Sequence, residues 1–170
     1  MTVFRFEPVR ADVERVERLT RVTGFFNPDE VRIAAELVGE RLAKGKTSGY
    51  EFVFVDSAPA ADGGSGELLA YSCYGPIDGT LRSWDLFWIA VQPHAQGRGL
   101  GREVLRETER RIALAGGGLV WVETGGKTLY QPTRSFYERC GYVQQAALRD
   151  FYAPGDAKIV YLREIAAADR

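Results

Sequence analysis

Val91-Gln92-Pro93-His94-Ala95-Gln96-Gly97-Arg98-Gly99-Leu100-Gly101 is the stretch on which the fold turns. It lies between an apolar run, Trp84 to Val91, and an amphipathic segment that starts near Leu100. The order is strand, glycine-rich turn, helix. The physical use of such a turn is to hold an anion. A new helix exposes unpaired backbone N–H groups at its N-terminus, and its dipole adds a partial positive charge there. Gly97, Gly99 and Gly101 carry no side chains, so a pyrophosphate can approach the backbone closely. Arg98 and Arg102 bring mobile positive charge to the same place.

Spacing sorts the families that use such a turn. A P-loop needs Lys-Ser/Thr after its last glycine, and here Gly101 is followed by Arg102-Glu103. A dinucleotide fingerprint, Gly-x-Gly-x-x-Gly, does not match Gly97-x-Gly99-x-Gly101, and no strand-borne acid follows at the expected distance. The pattern Gln-x-x-Gly-x-Gly does match at Gln96, Gly99 and Gly101, behind a strand ending Ile89-Ala90-Val91-Gln92-Pro93. This resembles the coenzyme A loop of the GCN5-related N-acetyltransferases, the GNAT superfamily. A glycine-rich helix start with no ligand is the plain alternative.

A chain of 170 residues suffices for one well-cored domain and is short for two, so residues 1–170 are expected to form a single domain. With 45% apolar and 26% charged residues it has the composition of a globular protein. A net charge of −1 argues against a dedicated nucleic-acid binder. Cys73 and Cys140 are far apart and lack nearby Cys or His partners, which speaks against a zinc site and gives no sign of a disulfide framework. No apolar run is of membrane-spanning length and no leader pattern is seen, so no membrane partner is expected and the cytoplasm is the expected location.

Along the chain, Thr2 to Glu7 alternates as a first strand, and Val13, Val16, Leu19 and Val22 recur at helical spacing. Asn27 is placed to cap a second helix, with Pro28 at its first position and Glu30 completing a capping box. Val31, Ala34, Ala35, Val38 and Leu42 would be its buried stripe. Tyr50 to Asp56, Glu67 to Tyr74 and Leu81 to Val91 read as an antiparallel meander, with Ser57 to Gly66 a mobile loop and Gly75-Pro76 ending its middle strand. Leu100, Val104, Leu105, Thr108, Ile112 and Ala115 form the buried face of the next helix. Gly116-Gly117-Gly118 ends it, and Leu119 to Glu123 returns as a parallel strand. A short helix from Pro132 to Gly141 and a closing hairpin, Tyr142 to Phe151 and Lys158 to Ile165, complete the chain. The expected architecture is α/β, a mixed and mostly antiparallel sheet of six to seven strands with about four helices.

Tyr130 to Tyr142 carries a second resemblance to the superfamily, whose fourth helix reads Asn-x-x-Ala-x-x-(apolar)-Tyr-x-x-x-Gly-(Phe/Tyr). Phe136, Tyr137, Gly141 and Tyr142 match; Tyr130 and Thr133 stand where Asn and Ala are usual. Together the motifs cover roughly residues 50 to 165. The resemblance implies acetyl-CoA held where strands four and five splay apart. The backbone of Ile89, Ala90 and Val91 would meet its pantetheine. Gln96, Gly97, Arg98, Gly99, Leu100, Gly101 and Arg102 would meet its phosphates.

Acyl transfer to an amine needs a proton acceptor for the amine, a donor for the oxyanion and an acid for the thiolate. Tyr137, at the family's tyrosine position, is the candidate acid. Glu123, at the end of strand five, is the candidate base, with Asp85 in strand four a second carboxylate that could serve as base or meet the acceptor; the plain alternative for each is a solvated strand-end acid or a salt-bridge partner. His94 lies within the turn and would face phosphate rather than the acetyl group. Phe25 and Phe26 either staple the second helix or wall the acceptor pocket, where Trp88 is a further candidate. The leading reading is an acetyl-CoA-dependent N-acetyltransferase acting on a small-molecule or peptide amine, with no metal. A second copy of the chain is a candidate partner. An inactive coenzyme A-binding module and a purely structural domain are the alternatives.

Overall fold

A computed structural model describes residues 2–58 and 66–166. The chain order is β1 (Thr2–Arg5), α1 (Asp12–Thr23), α2 (Pro28–Lys44), β2 (Glu51–Ser57), β3 (Leu68–Pro76), β4 (Ser83–Val91), α3 (Leu100–Leu114), β5 (Leu119–Gly125), α4 (Gln131–Arg139), β6 (Val143–Ala153) and β7 (Asp156–Glu164). The strands form one seven-stranded sheet ordered β1-β2-β3-β4-β5-β7-β6. Only β4 and β5 are parallel among the pairs described, and their ladder runs from Ser83–Leu119 to Leu86–Val122. Both strands continue past it, to Val91 and Gly125, so the pair is splayed as the sequence suggested. By contact density the chain divides into two compact units, Met1–Gly75 with Trp88–Thr108, and Pro76–Phe87 with Glu109–Arg170.

In the first unit the core gathers Val16 and Leu19 of α1, Ala34, Leu37 and Val38 of α2, and Phe52, Phe54, Leu68, Tyr71, Cys73 and Ala90 of the strands. The second helix starts as its sequence dictates. The Asn27 side chain accepts the Glu30 N–H at 2.9 Å, and Glu30 takes the Asn27 N–H at 2.8 Å. A cap of this kind contributes about 1 kcal/mol. Asp12 is fully buried because it is fully paired. It accepts the Val9 N–H at 2.7 Å and guanidinium hydrogens from Arg5 and Arg15. That pairing fixes the start of α1 on β1.

The second unit packs Val120 and Val122 of β5 with Tyr137, Tyr142, Ile159 and Tyr161. Gly117 and Gly118 are glycines from close approach: a Cβ on Gly117 would lie 2.4 Å from Ile112, and one on Gly118 2.6 Å from Arg82. The sheet ends on β6, almost every residue of which is exposed. Its pairing with β7 shifts between Leu148 and Ala153, where Asp150 adopts a left-handed φ of 56°.

Several sequence expectations need correction. Gly75-Pro76 does not stop β3, which runs through Pro76; that end of the strand can use a residue without an N–H. Leu42 is exposed, and the α2 stripe passes instead through Leu37 and Arg41, as 3.6-residue periodicity from Val38 allows. Ala115 falls beyond α3 and is exposed. The loop expected to be mobile lies largely outside the described residues. Among the described residues no helix is long and apolar enough to cross a membrane, and no group of three or more His, Cys, Asp or Glu could hold a metal.

Candidate active site

The glycine turn belongs to the first unit and is built from its own backbone. Gly97 and Gly99 take φ of 73° and 89°, values that L side chains resist, which is why glycine stands at both. Gly99 O accepts the Glu103 N–H at 3.1 Å, so Gly99 is the residue on which α3 starts. The amides of Gly99, Leu100, Gly101 and Arg102 therefore have no acceptor within the helix. Before the turn, the Gln96 side chain donates to Val91 O at 3.0 Å, and the Gln92 N–H donates to Leu69 O at 2.8 Å. These two bonds tie the turn to β4 and β4 to β3. Arg98 and Arg102 are exposed, and Leu100 is buried as the helix's anchor. His94 lies 3.6 Å from Glu67, engaged on the outside of the loop.

Ile89 and Val91 are partly buried and Ala90 is buried. Phe26 and Trp88 both pack against the first unit's core, with Ile33 and Tyr50. Phe25 is partly buried and is not part of that cluster. Two donors in the cluster have no partner: the Tyr71 hydroxyl and the Trp88 indole N–H are both buried and unbonded. Burial pushes the Tyr71 hydroxyl well above the ordinary tyrosine range, so it keeps its proton.

Tyr137 belongs to the second unit. It is 4% exposed, on the inner face of α4, with its ring centroid 5.5 Å from that of Tyr142 and 6.2 Å from that of Tyr161. Burial raises its hydroxyl well above the ordinary range, as it does for Tyr142, whose hydroxyl donates to Glu109 at 3.0 Å. The Tyr161 hydroxyl, pushed up to about 12 by burial, donates to Glu138 at 2.9 Å.

The carboxylates are carried by the strands of the second unit. Asp85 is the register partner of Trp121, two residues before Glu123 on β5, so all three share one face. Gly125 pairs with Lys158 on β7, which puts the lysine on that face too. Its Nζ lies 2.6 Å from Glu123 Oε1 and 4.6 Å from the centre of the Phe151 ring. The Asp85 carboxyl is raised above the usual range, first by burial and then by Glu123, with Lys158 drawing it back. Sequence reasoning missed Lys158 and Phe151, and also Arg134, which donates to Gly125 O at 2.7 Å and Lys127 O at 3.0 Å. Arg134 thereby organises the start of α4, where the family's usual asparagine is replaced by Tyr130.

The family described as acetyltransferase (GNAT) domain matches residues 48–144. A solved GNAT-family protein from Desulfovibrio desulfuricans is 43% identical over 98% of this chain and 100% of its own, with a TM-score of 0.92. More distant likenesses show the fold alone. The ribosomal-protein-S18-alanine N-acetyltransferase of Escherichia coli has 20% identity and a TM-score of 0.73, over 100% of this chain and 97% of its own. An aminoglycoside 6'-N-acetyltransferase solved with coenzyme A has 17% identity and a TM-score of 0.70, over 99% of both chains. No curated protein sequence matches the chain. With a family match over more than half its length and a 43% identical relative matched end to end, this chain belongs to the GNAT acetyltransferase family.

Proposed function

We propose that the chain is an acetyl-CoA-dependent N-acetyltransferase that moves an acetyl group directly to a primary amine of a small molecule or peptide. The observation that carries this reading is the turn before α3. Left-handed Gly97 and Gly99 leave a run of amides without helical acceptors, flanked by two exposed arginines. A Cβ at Gly97 or Gly99 would meet no described atom within 4 Å, so the ground above them is open to a ligand. An anion with close access to backbone fits that donor set.

Bound there, acetyl-CoA supplies an activated acetyl thioester. The amides of Gly97 to Arg102 bind its pyrophosphate, and Arg98 and Arg102 neutralise it. The backbone of Ile89, Ala90 and Val91 offers hydrogen-bonding groups to the pantetheine, with the Val91 N–H as the oxyanion donor. Glu123 takes the proton of an incoming ammonium on its carboxylate. Phe25 and Trp88 in the first unit, and Asp85 in the second, are the candidates for contact with the acceptor, while Phe26 serves the first unit's core. Tyr137 keeps its phenolic proton at neutral pH and is the acid of the site.

The test is release of coenzyme A thiol from acetyl-CoA across a panel of primary amines and amino acids. Release with at least one amine is expected. Thermal stabilisation by acetyl-CoA without release would favour a binding module, and no stabilisation at all would remove the cofactor assignment.

A further inference from the structure

Lys158 has no part in the reading above, yet it holds an unusual position in the second unit. Its side chain is only 15% exposed, although the Glu123 side chain it pairs with is 50% exposed. The lysine side chain is therefore largely covered, although both groups it meets are half-exposed. It meets a carboxylate at 2.6 Å and an aromatic face at 4.6 Å. A carboxylate beside a ring is the surrounding that a primary ammonium on a methylene chain requires, because the charge is paired and the stem stays on apolar surface. The other charges nearby are accounted for. Asp85 on β4 and Glu123 on β5 share the face with Lys158, and on β6 Arg149 pairs with Asp150 at 3.5 Å.

We propose that Lys158 is a resident competitor for the acceptor: its ammonium fills the place between Glu123 and Phe151 that the substrate's own ammonium takes, and the acceptor binds by displacing it. The inference rests on the acetyltransferase reading and names its acceptor class, a primary ammonium on an unbranched alkyl chain. The occupant is held by a half-exposed ion pair and a cation–π contact, both weak interactions, so displacement is feasible. Once Lys158 swings away, Glu123 is left facing the amine whose proton it must take. Asp85 and Glu123 with Lys158 gone carry one more uncompensated negative charge, which favours an incoming cation further.

The experiment compares wild type with Lys158→Met and, as a second variant, Lys158→Gln, using n-butylammonium as the probe and the 13C carboxyl signals of Glu123 and Asp85 as the readout. Tighter probe binding is expected in both variants, about two- to fivefold, the ratio a half-exposed ion pair is worth. The Michaelis constant for a linear alkylamine should fall by the same factor. Lys158→Arg, which retains the charge, should show neither change. Unchanged or weaker probe binding in the neutral variants would overturn the proposal and leave Lys158 a structural ion pair, whatever the turnover. If the neutral variants bind the probe more tightly but no amine releases coenzyme A thiol, the ammonium seat stands and the transferase reading falls.

Discussion

The glycine turn is made by residues that follow one another along the chain, whereas the Asp85–Glu123–Lys158 cluster is made by residues that only strand pairing brings together. The turn depends on backbone: two left-handed glycines and one carbonyl starting a helix define it. The cluster depends on register: Asp85 opposite Trp121 and Lys158 opposite Gly125. A one-residue slip would turn its side chains to the other face. Binding of a phosphate chain can therefore be encoded in a dozen consecutive residues, while acceptor chemistry needs the sheet to have closed.

That contrast can be broken or sharpened by substitution. The largest effect is expected from Tyr137→Phe, which should keep acetyl-CoA affinity and lower turnover by ~10²-fold or more if the hydroxyl is the acid. Single-turnover measurements at wild-type rate would strip Tyr137 of that role. Next is Gly99→Glu, where left-handed strain and a misplaced negative charge combine. Calorimetric titration should show acetyl-CoA affinity down on the order of 100-fold, with Gly99→Ala nearer tenfold, about the strain alone. Neither change should move the carboxyl signals of Asp85 or Glu123, and a shift there would mean that the two regions are not independent.

Glu123→Gln should lower turnover by roughly tenfold or more, at the low end of general-base effects because water can substitute. Its pH profile carries the sharper information. The raised Asp85 carboxyl sets the acidic limb above that of an ordinary aspartate if its ionised form is required. Removing the Glu123 charge removes one of the causes raising it, so the limb should move to lower pH; removing Lys158 should move it up. A limb that stays in place in both variants would show that Asp85 does not govern the profile.

Smaller effects separate the two phenylalanines. Phe26 packs on the core and Phe25 is not part of that cluster. Phe26→Ala should cost about 2 kcal/mol, half of a full core truncation, and lower the melting temperature by several degrees. Phe25→Ala should leave melting unchanged and raise the acceptor Michaelis constant. The reverse pattern would exchange their roles. The smallest effect is expected from Tyr71→Phe, which removes a buried hydroxyl without a partner. It should raise stability by about 1 kcal/mol, visible as a small rise in melting temperature, and a fall would reveal a partner for that hydroxyl.

What was legible in the sequence follows the same division. The Asn27–Glu30 cap, the start of α3 and the termination of α4 at left-handed Gly141 are short-range events, and each was readable from residue types alone. The Lys158–Glu123 contact spans 35 positions and depends on β7 lying between β5 and β6, an order that no local pattern specifies. Two of the acceptors of Arg134 are main-chain carbonyls, which every residue has, so residue types alone do not reveal them; its third is the nearby Gln131 side chain. Helical angle from Val38 admits both Leu42 and Arg41 to the inner face, and Arg41 holds the inward position through its pairing with Glu7 and Glu51, long-range contacts that periodicity does not specify.

The irregularity of β6 bears on whether other chains can add to the sheet. A sheet edge of eleven residues, nine of them exposed, with Val143, Leu148, Phe151 and Tyr152 on it, is a template for adding strands from other chains. The left-handed Asp150 and the register shift after Leu148 interrupt that template. A stray strand meets one register shift between Gln144 and Ala146 and a second after Leu148, where Arg149 and Asp150 pair at 3.5 Å. Straightening the edge by Asp150→Val would leave an unbroken ladder open to strand addition, prone to fibrous association.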